Sequence, residues 1–431
     1  MGRILGTLFT AAATGVLLAP SASAELSDRH QFTVALKWSV TNADSDLIPW
    51  TEAGSGKLRY DARESLTEST RLFLDYSGQI APQFYAHAVL DYLDDNDTTG
   101  LTEAFIEWRP LPSSPARQRF RFGAFYPAIS LENPARAWES PYSNSFAAMN
   151  AWLGEEIRPI GVEWNISRRL GSGASPHEVS ASTALFYGND TAGTLLFWRG
   201  WSVHDRQTRL NERLPLPTLV FPLSGDTPAI EVPRTLDPIS EIDHEPGISL
   251  TGEWRYSRRA QLALGFWDNR ADALRFRDGQ WAWGTRFWHL SAQFSLPGDF
   301  GLIAQRMRGD TDWLIRVTSD GQFTPATSLV TDEFDTWYVL FSKTLGERHR
   351  LTLRRDYFDL WRSGGLVADK GHATGVGWRY ALGNRLNLQV EWLEIESTRD
   401  LWPAFYQEPE DSHTESLLQL SLNAVLFGNA G

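Results

Sequence analysis

Two stretches of this chain concentrate residues able to act on a solute. The first, Pro127 to Arg158, carries Glu132, Arg136, Trp138, Glu139, Tyr142, Trp152, Glu155, Glu156 and Arg158. Carboxylates and guanidiniums interspersed in this way set up a transverse field across a narrow water-filled passage and select by charge and size. Within it, "NSFAAMNAWLGEE" has helix-like spacing through Phe146, Met149 and Leu153. Such a segment either folds into a lumen as a constriction or caps a structure from outside. The second stretch, Thr191 to Pro246, exceeds an ordinary connection in length, which favours a functional segment. It joins "LLFWRGW" to the proline-rich run "LPLPTLVFPLSGDTPAIEVP". Trp198 and Trp201 flank Arg199 and could stack on a sugar or an aromatic solute, or form the core of their own loop.

Outside these stretches, four arginines sit on polar parities of alternating segments: Arg119, Arg121, Arg255 and Arg354. Facing a lumen they would favour anions; paired with Glu107, Glu163 or Glu253 across strands they would form an ordinary ion-pair network. Metal and hydrolytic motifs are weak. "DYLDDNDTTG" (91–100) lacks the carboxylate spacing and glycine position of an EF-hand and reads as an acidic turn loosely holding divalent ions. The nine histidines include no HExxH or other close ligand pair. There is no GxSxG and no phosphate-cradling glycine loop. His289 and Ser291, two apart on one face, are the nearest thing to a hydrolytic pair. No catalytic residue, metal or cofactor is expected, and the chain is not expected to be an enzyme.

The elements that must position these residues are strands. Period-two alternation recurs along almost the whole chain. Phe84, Ala86, Ala88 and Leu90 alternate with Tyr85, His87 and Asp91; Leu418, Leu420, Leu422 and Ala424 alternate with Gln419, Ser421 and Asn423. Seven short links (77–82, 110–117, 168–176, 256–260, 295–299, 344–348, 381–385) alternate with eight longer ones (41–56, 94–100, 127–157, 189–246, 270–280, 309–331, 360–371, 398–413). Fifteen links join sixteen strands, the even number and loop asymmetry of a bacterial transmembrane barrel. The spacing therefore predicts an all-β antiparallel transmembrane barrel with short periplasmic turns, long extracellular loops and an aqueous lumen. Trp108, Tyr126, Trp164, Tyr187, Trp254, Tyr256, Trp378 and Tyr380 are expected in interfacial girdles.

The chain's start fits export. Arg3, the apolar run Ile4 to Leu18 and Ala22-Ser23-Ala24 read as a Sec signal peptide over 1–24, leaving 25–431 as one barrel domain. No later stretch approaches the ~18 apolar residues of a membrane helix. Absence of cysteine excludes disulfides and a lipid-anchored cysteine. A net charge of −13 makes free nucleic acid an unsuitable partner.

Three segments, "GAFYPAISLENPARAWESPYSNSFAAMNAWLGEEIRPIGVEW" (123–164), "YGNDTAGTLLFWRGWSVHDRQTRL" (187–210) and "LGFWDNRAD" (264–272), carry a resemblance to the porin superfamily of Gram-negative bacteria that includes the phosphate-selective porins, in an uncharacterised porin-like branch. The resemblance implies a sixteen-stranded outer-membrane porin, often a homotrimer, passing small hydrophilic solutes or ions and assembled by the barrel-assembly machinery through its C-terminal strand. Its partners would be outer-membrane lipid and lipopolysaccharide. A carbohydrate-selective channel, or a non-conducting structural or enzymatic barrel, are the alternatives. Two departures stand out. The lysines Lys37, Lys57, Lys343 and Lys370 are scattered, so phosphate specificity is not implied. The final aromatic, Phe427, is one residue out of phase with the outward Leu426, which calls for a terminal bulge or for Leu426 as the assembly signal.

Overall fold

The computed structural model describes residues 29–94, 98–171, 176–217, 234–314, 318–319, 322–323, 329–362, 366–399 and 411–428. The proposed signal peptide and most of the proline-rich run lie outside these residues, as do residues 95–97 of the acidic turn. Sixteen strands close into one antiparallel barrel. They are β1 (His30–Asp44), β2 (Thr67–Ala81), β3 (Phe84–Leu93), β4 (Thr98–Trp108), β5 (Ala116–Ala124), β6 (Ile160–Arg169), β7 (His177–Tyr187), β8 (Gly247–Tyr256), β9 (Ala260–Asp268), β10 (Gly284–Leu296), β11 (Phe300–Leu314), β12 (Leu329–Leu345), β13 (His349–Arg362), β14 (Leu366–Ala381), β15 (Leu386–Thr398) and β16 (Ser412–Phe427). β1 pairs with both β2 and β16, which closes the ring and leaves no open edge.

The alternation has the sense a membrane demands. On β16, Leu418, Leu420 and Leu426 are exposed outward, while Gln419 and Ser421 are buried inside. Near the turn end, Phe84, Trp108, Phe120 and Trp164 on successive strands β3 to β6 form a row with ring centroids 6.3, 5.1 and 6.4 Å apart. This is the girdle that amphipathic rings make at a bilayer interface. Tyr126 departs from expectation: it is buried inside the barrel and stacks on Trp138 at 4.4 Å. It lies beyond the end of β5, where the chain has already turned inward, so strand parity no longer governs it.

Two links expected to be long are largely strand: β11 runs to Leu314 and β12 starts at Leu329, while β13 runs to Arg362 and β14 starts at Leu366. Their outward residues there are Asp310, Asp312 and Asp359, polar positions that mimic a loop in sequence. They belong to strands that continue past the apolar belt.

The phase problem at the chain's end is solved by a bulge. Ala35 pairs with Val425 but Val34 pairs with Phe427, so Leu426 is the extra residue. Phe427 thereby points outward beside Val34 and is 56 % exposed. Gly428 follows at φ +96°, where an added Cβ would sit 2.0 Å from the Phe32 carbonyl oxygen.

The aqueous lumen expected from sixteen strands is occupied. Three links turn inward: 45–66, 125–159 and, in its described parts, 188–217 with 234–246. Their Trp50, Leu58, Phe146, Trp152, Leu196 and Trp201 pack with the wall residues Phe186, Trp267, Phe287, Phe334 and Phe358 into one buried cluster, so the core of this protein is inside its barrel. Helix α1 (Ala148–Glu156) lies there with all nine residues buried. Its alanines, methionine and leucine favour helix. The Glu132 carboxylate accepts the Ala147 N–H and Asn150 Nδ2, both at 2.8 Å, which supplies the N-terminal cap that Ala147 lacks. Pro159 stops the helix soon after. A shorter helix, α2 (Thr194–Arg199), is also wholly buried.

Candidate functional site

The interior has three levels: a turn-end vestibule, the plug of inward links, and a loop-end cavity. Arg119, Arg121 and Arg255 stand on the vestibule wall. Arg121 grips Glu163 with both arms of its guanidinium, at 2.9 and 2.8 Å, and lies 4.4 Å over the Phe125 ring. Arg119 Nε is 3.5 Å from Glu107, and Arg255 donates to Glu253 at 3.1 Å. The vestibule, about 490 Å³ beside these strands, is thus lined by arginines with carboxylates alongside. A second pocket holds His87 with Ser77 Oγ 2.8 Å from Nδ1 and Glu103 3.8 Å from Nε2, on the walls of β2, β3 and β4.

Arg136, on the underside of the plug, donates to Thr33 Oγ1 and lines two turn-end pockets. The other predicted residues lie within the plug, except Arg354 on the wall. Glu155 is fully buried between Arg199 and His204, whose Nε2 is 3.0 Å away. Burial pushes its carboxyl up, but Arg199 and then His204 outweigh that and hold it at about 2. Among the described residues Glu156 forms no salt bridge; burial drives it up to about 7, against the Leu195 N–H (3.0 Å), the Trp152 indole N–H and the more distant Arg199 charge. It pins α1 to the start of α2. Arg158 lies 3.5 Å over the Tyr126 ring and donates to the Gly154 carbonyl at 3.0 Å. Trp152 meets Trp201, Phe287 and Phe334 edge-on at 6.1, 5.7 and 5.6 Å. Trp138 stacks on Tyr126, and Trp198 packs against Phe197 at 5.0 Å. Trp138, Trp152, Trp198 and Trp201 are all buried in this state, where they form the core of the plug rather than a platform for solute.

Arg354 is a wall residue of β13 that reaches inward, donating to Glu132 at 2.9 Å while its own neighbour Asp356 stays 3.1 Å away. It is one of several wall groups that hold the plug. Lys57 Nζ, fully buried, donates to both Asp369 oxygens at 2.8 Å and to the Trp201 carbonyl at 2.9 Å. Burial pushes its ammonium pKa down, and Asp369 works against that. Glu391 accepts the Ser145 N–H at 2.7 Å, and Glu415 accepts the Lys57 N–H at 3.0 Å.

Sequence reasoning missed the groups on the β1–β3 side. Lys37 donates to Asp205 at 3.1 Å, and Arg59 donates to the same carboxylate. Arg71 holds Asp91 at 2.7 Å and also Glu139; Arg209 reaches Asp91 at 3.1 Å and Glu212 at 3.2 Å. A signal existed for Lys37 alone: it is the one cation on the otherwise small inward row Thr33, Ala35, Ser39, Thr41 and Ala43.

For a metal, the described residues offer Asp190, Glu241 and Asp243, whose ligand oxygens lie within 4.8 Å of one another. Burial, with Asp243 and Glu241 adding, pushes Asp190 up to about 7, but its Oδ2 is already taken by the N–H groups of Ile242 and Asp243. His289 and Ser291 are both buried and no hydrogen bond joins them; Ser291 Oγ is 2.7 Å from Gln305 Nε2.

No protein-family model matches the sequence, and a search of curated proteins finds no match either. Solved structures do match. The outer-membrane channel DcaP of Acinetobacter baumannii superposes with a TM-score of 0.51 at 12% identity, over 92% of this chain and 96% of that one. Outer-membrane expressed OmpT of Vibrio cholerae gives 0.50 at 8% identity, over 92% and 97%. At such identities the likeness is one of fold, and along nearly its whole length this chain has the barrel fold of those outer-membrane proteins.

Proposed function

We propose that this protein is a porin-type channel of the Gram-negative outer membrane, passing small hydrophilic solutes or ions, which the structure captures closed by a plug of its own links. One observation carries the reading: a barrel wide enough for an aqueous lumen, apolar outside and lined with charged groups inside, is filled, among the described residues, by segments of the same chain that both begin and end on its wall. A barrel meant to stay shut needs no arginine-lined vestibule below its plug. The chain has no enzymatic role in this reading, and the phosphate-selective resemblance extends to architecture but not to solute. Export through the Sec pathway, assembly through the Phe427-bearing strand, contact with lipopolysaccharide and a homotrimeric state complete the proposal.

The test is planar-bilayer recording of refolded protein. The intact chain is expected to give rare or small steps, and a chain with residues 194–217 replaced by a short flexible linker large, lasting ones. Absence of conductance from both, with barrel formation and insertion demonstrated, would overturn the channel reading.

A further inference from the structure

The plug does not meet the wall in the same way all round. On the β13–β16 side the wall supplies carboxylates (Asp369, Glu391, Glu415) and the links supply Lys57 and backbone N–H groups. Of the wall cations there, Arg354 is already balanced by its neighbour Asp356, and Arg350 and Arg379 donate to a link backbone carbonyl, that of Pro141, at 3.1 and 3.4 Å. At β1 the roles reverse. Lys37 is a wall cation, and among the described residues its carboxylate partner comes from a link, Asp205.

The two cations on Asp205 each line a cavity. Lys37 lines an open cavity of about 360 Å³ that reaches the turn end at Asn384 and Arg385. Arg59 lines another, about 420 Å³, bordered by Thr51, Glu68 and Asp94 at the loop end. Lys37, of the first cavity, and Arg59, of the second, both hold Asp205. Within the run 201–209 every residue is buried except Asp205, which stays partly accessible. Asp205 is held by both Lys37 and Arg59, and without it Lys37 keeps no carboxylate partner among the described residues.

We infer that Lys37 and Arg59 form an anion-binding site on the solute route, occupied in the closed state by the link's own Asp205, and that a small carboxylate-bearing solute enters by taking that carboxylate's place. The inference rests on the channel reading above and adds to it a route, along the β1–β3 wall, and a solute class. Asp205 acts as a tethered imitation of the solute: competition for the two cations withdraws the link, joins the cavities and leaves a positive seam that passes anions ahead of cations.

The experiment is recording under a potassium chloride gradient, and then with potassium acetate on one side, for the intact chain, Asp205→Asn and Asp205→Asn/Lys37→Met. Barrel formation in each is checked by heat-resistant gel mobility. Asp205→Asn is expected to raise the open probability and the anion-over-cation permeability several-fold, with acetate carried, and adding Lys37→Met is expected to cancel the gain in anion preference. If the linker-replaced chain conducts but Asp205→Asn leaves the reversal potential unchanged, the seam site is overturned and the channel stands. If neither conducts, both fall.

Discussion

The two sides of the plug show how one barrel can be sealed permanently along one arc and provisionally along another. Along β13 to β16 the charged groups are fully buried, with Lys57, Asp369, Arg354 and Glu132 all at 1 % exposure or less. Each is also tied by further hydrogen bonds, so moving the link would strand a charge without water. At β1 the two cations on Asp205 border open cavities and Asp205 itself stays partly accessible, so water can replace a departing partner. Buried ion pairs therefore do different work according to what lies behind them. On one arc they hold register; on the other they form a removable closure.

Breaking the sealed arc should have the largest effect. Asp369→Ala leaves the buried Lys57 ammonium without its carboxylate, a loss of about 3–5 kcal/mol for such pairs. The expected outcome is plug release, read as frequent large conductance steps from a barrel that is still heat-resistant. Arg354→Met should release the plug less completely, because Glu132 keeps the Ala147 N–H and Asn150 Nδ2 as donors once the guanidinium is gone, and the same recording would show intermediate opening.

Changing pH sharpens the comparison without mutation. Glu156 and Asp190 are held near 7 in the folded chain against an ordinary value near 4.5 or below. A carboxyl raised in the folded state favours folding while protonated, so its contribution is lost as pH climbs from about 4.5 to about 7. Each pKa unit corresponds to ~1.4 kcal/mol. Glu155, held at about 2, acts in the opposite sense only below about 4.5 and does not interfere. Open probability should therefore rise between pH 5 and pH 8, and Glu156→Gln should flatten much of that slope. A slope unchanged in Glu156→Gln would mean that the clamp between α1 and α2 does not govern release.

The smallest effect is expected outside the plug. Arg306 and Asp335 pair on the outer surface with the arginine side chain 55 % exposed. The pair faces away from the plug, so replacing both charges together, Arg306→Ala/Asp335→Ala, should leave open probability nearly unchanged in the same assays.

What the sequence revealed follows from what is local. Strand parity is a two-residue property, so the barrel wall, the girdle at Trp108 and Trp164 and the inward row of β16 could all be read. So could the helical spacing that became α1, because Phe146, Met149 and Leu153 lie within three turns. Parity misled at Tyr126, where the chain leaves the wall, and at Asp310, Asp312 and Asp359, where strands outrun the apolar belt. The ion pairs of the plug were beyond reach for a different reason. Lys37 and Asp205 are 168 positions apart and Lys57 and Asp369 are 312 apart. No periodicity links such residues; only the closed ring and the inward folding of three links bring them together.

The central claim, that the lumen is filled by the chain itself, is tested most directly by hydrogen exchange of the refolded protein in lipid vesicles, followed by mass spectrometry of peptides spanning 145–158. The amides of α1, buried inside the barrel, should exchange as slowly as those of the neighbouring strands and accelerate sharply in Asp369→Ala. Exchange of 148–156 within seconds in the intact chain, at the rate of an exposed short helix, would show that the links lie outside and the barrel is open.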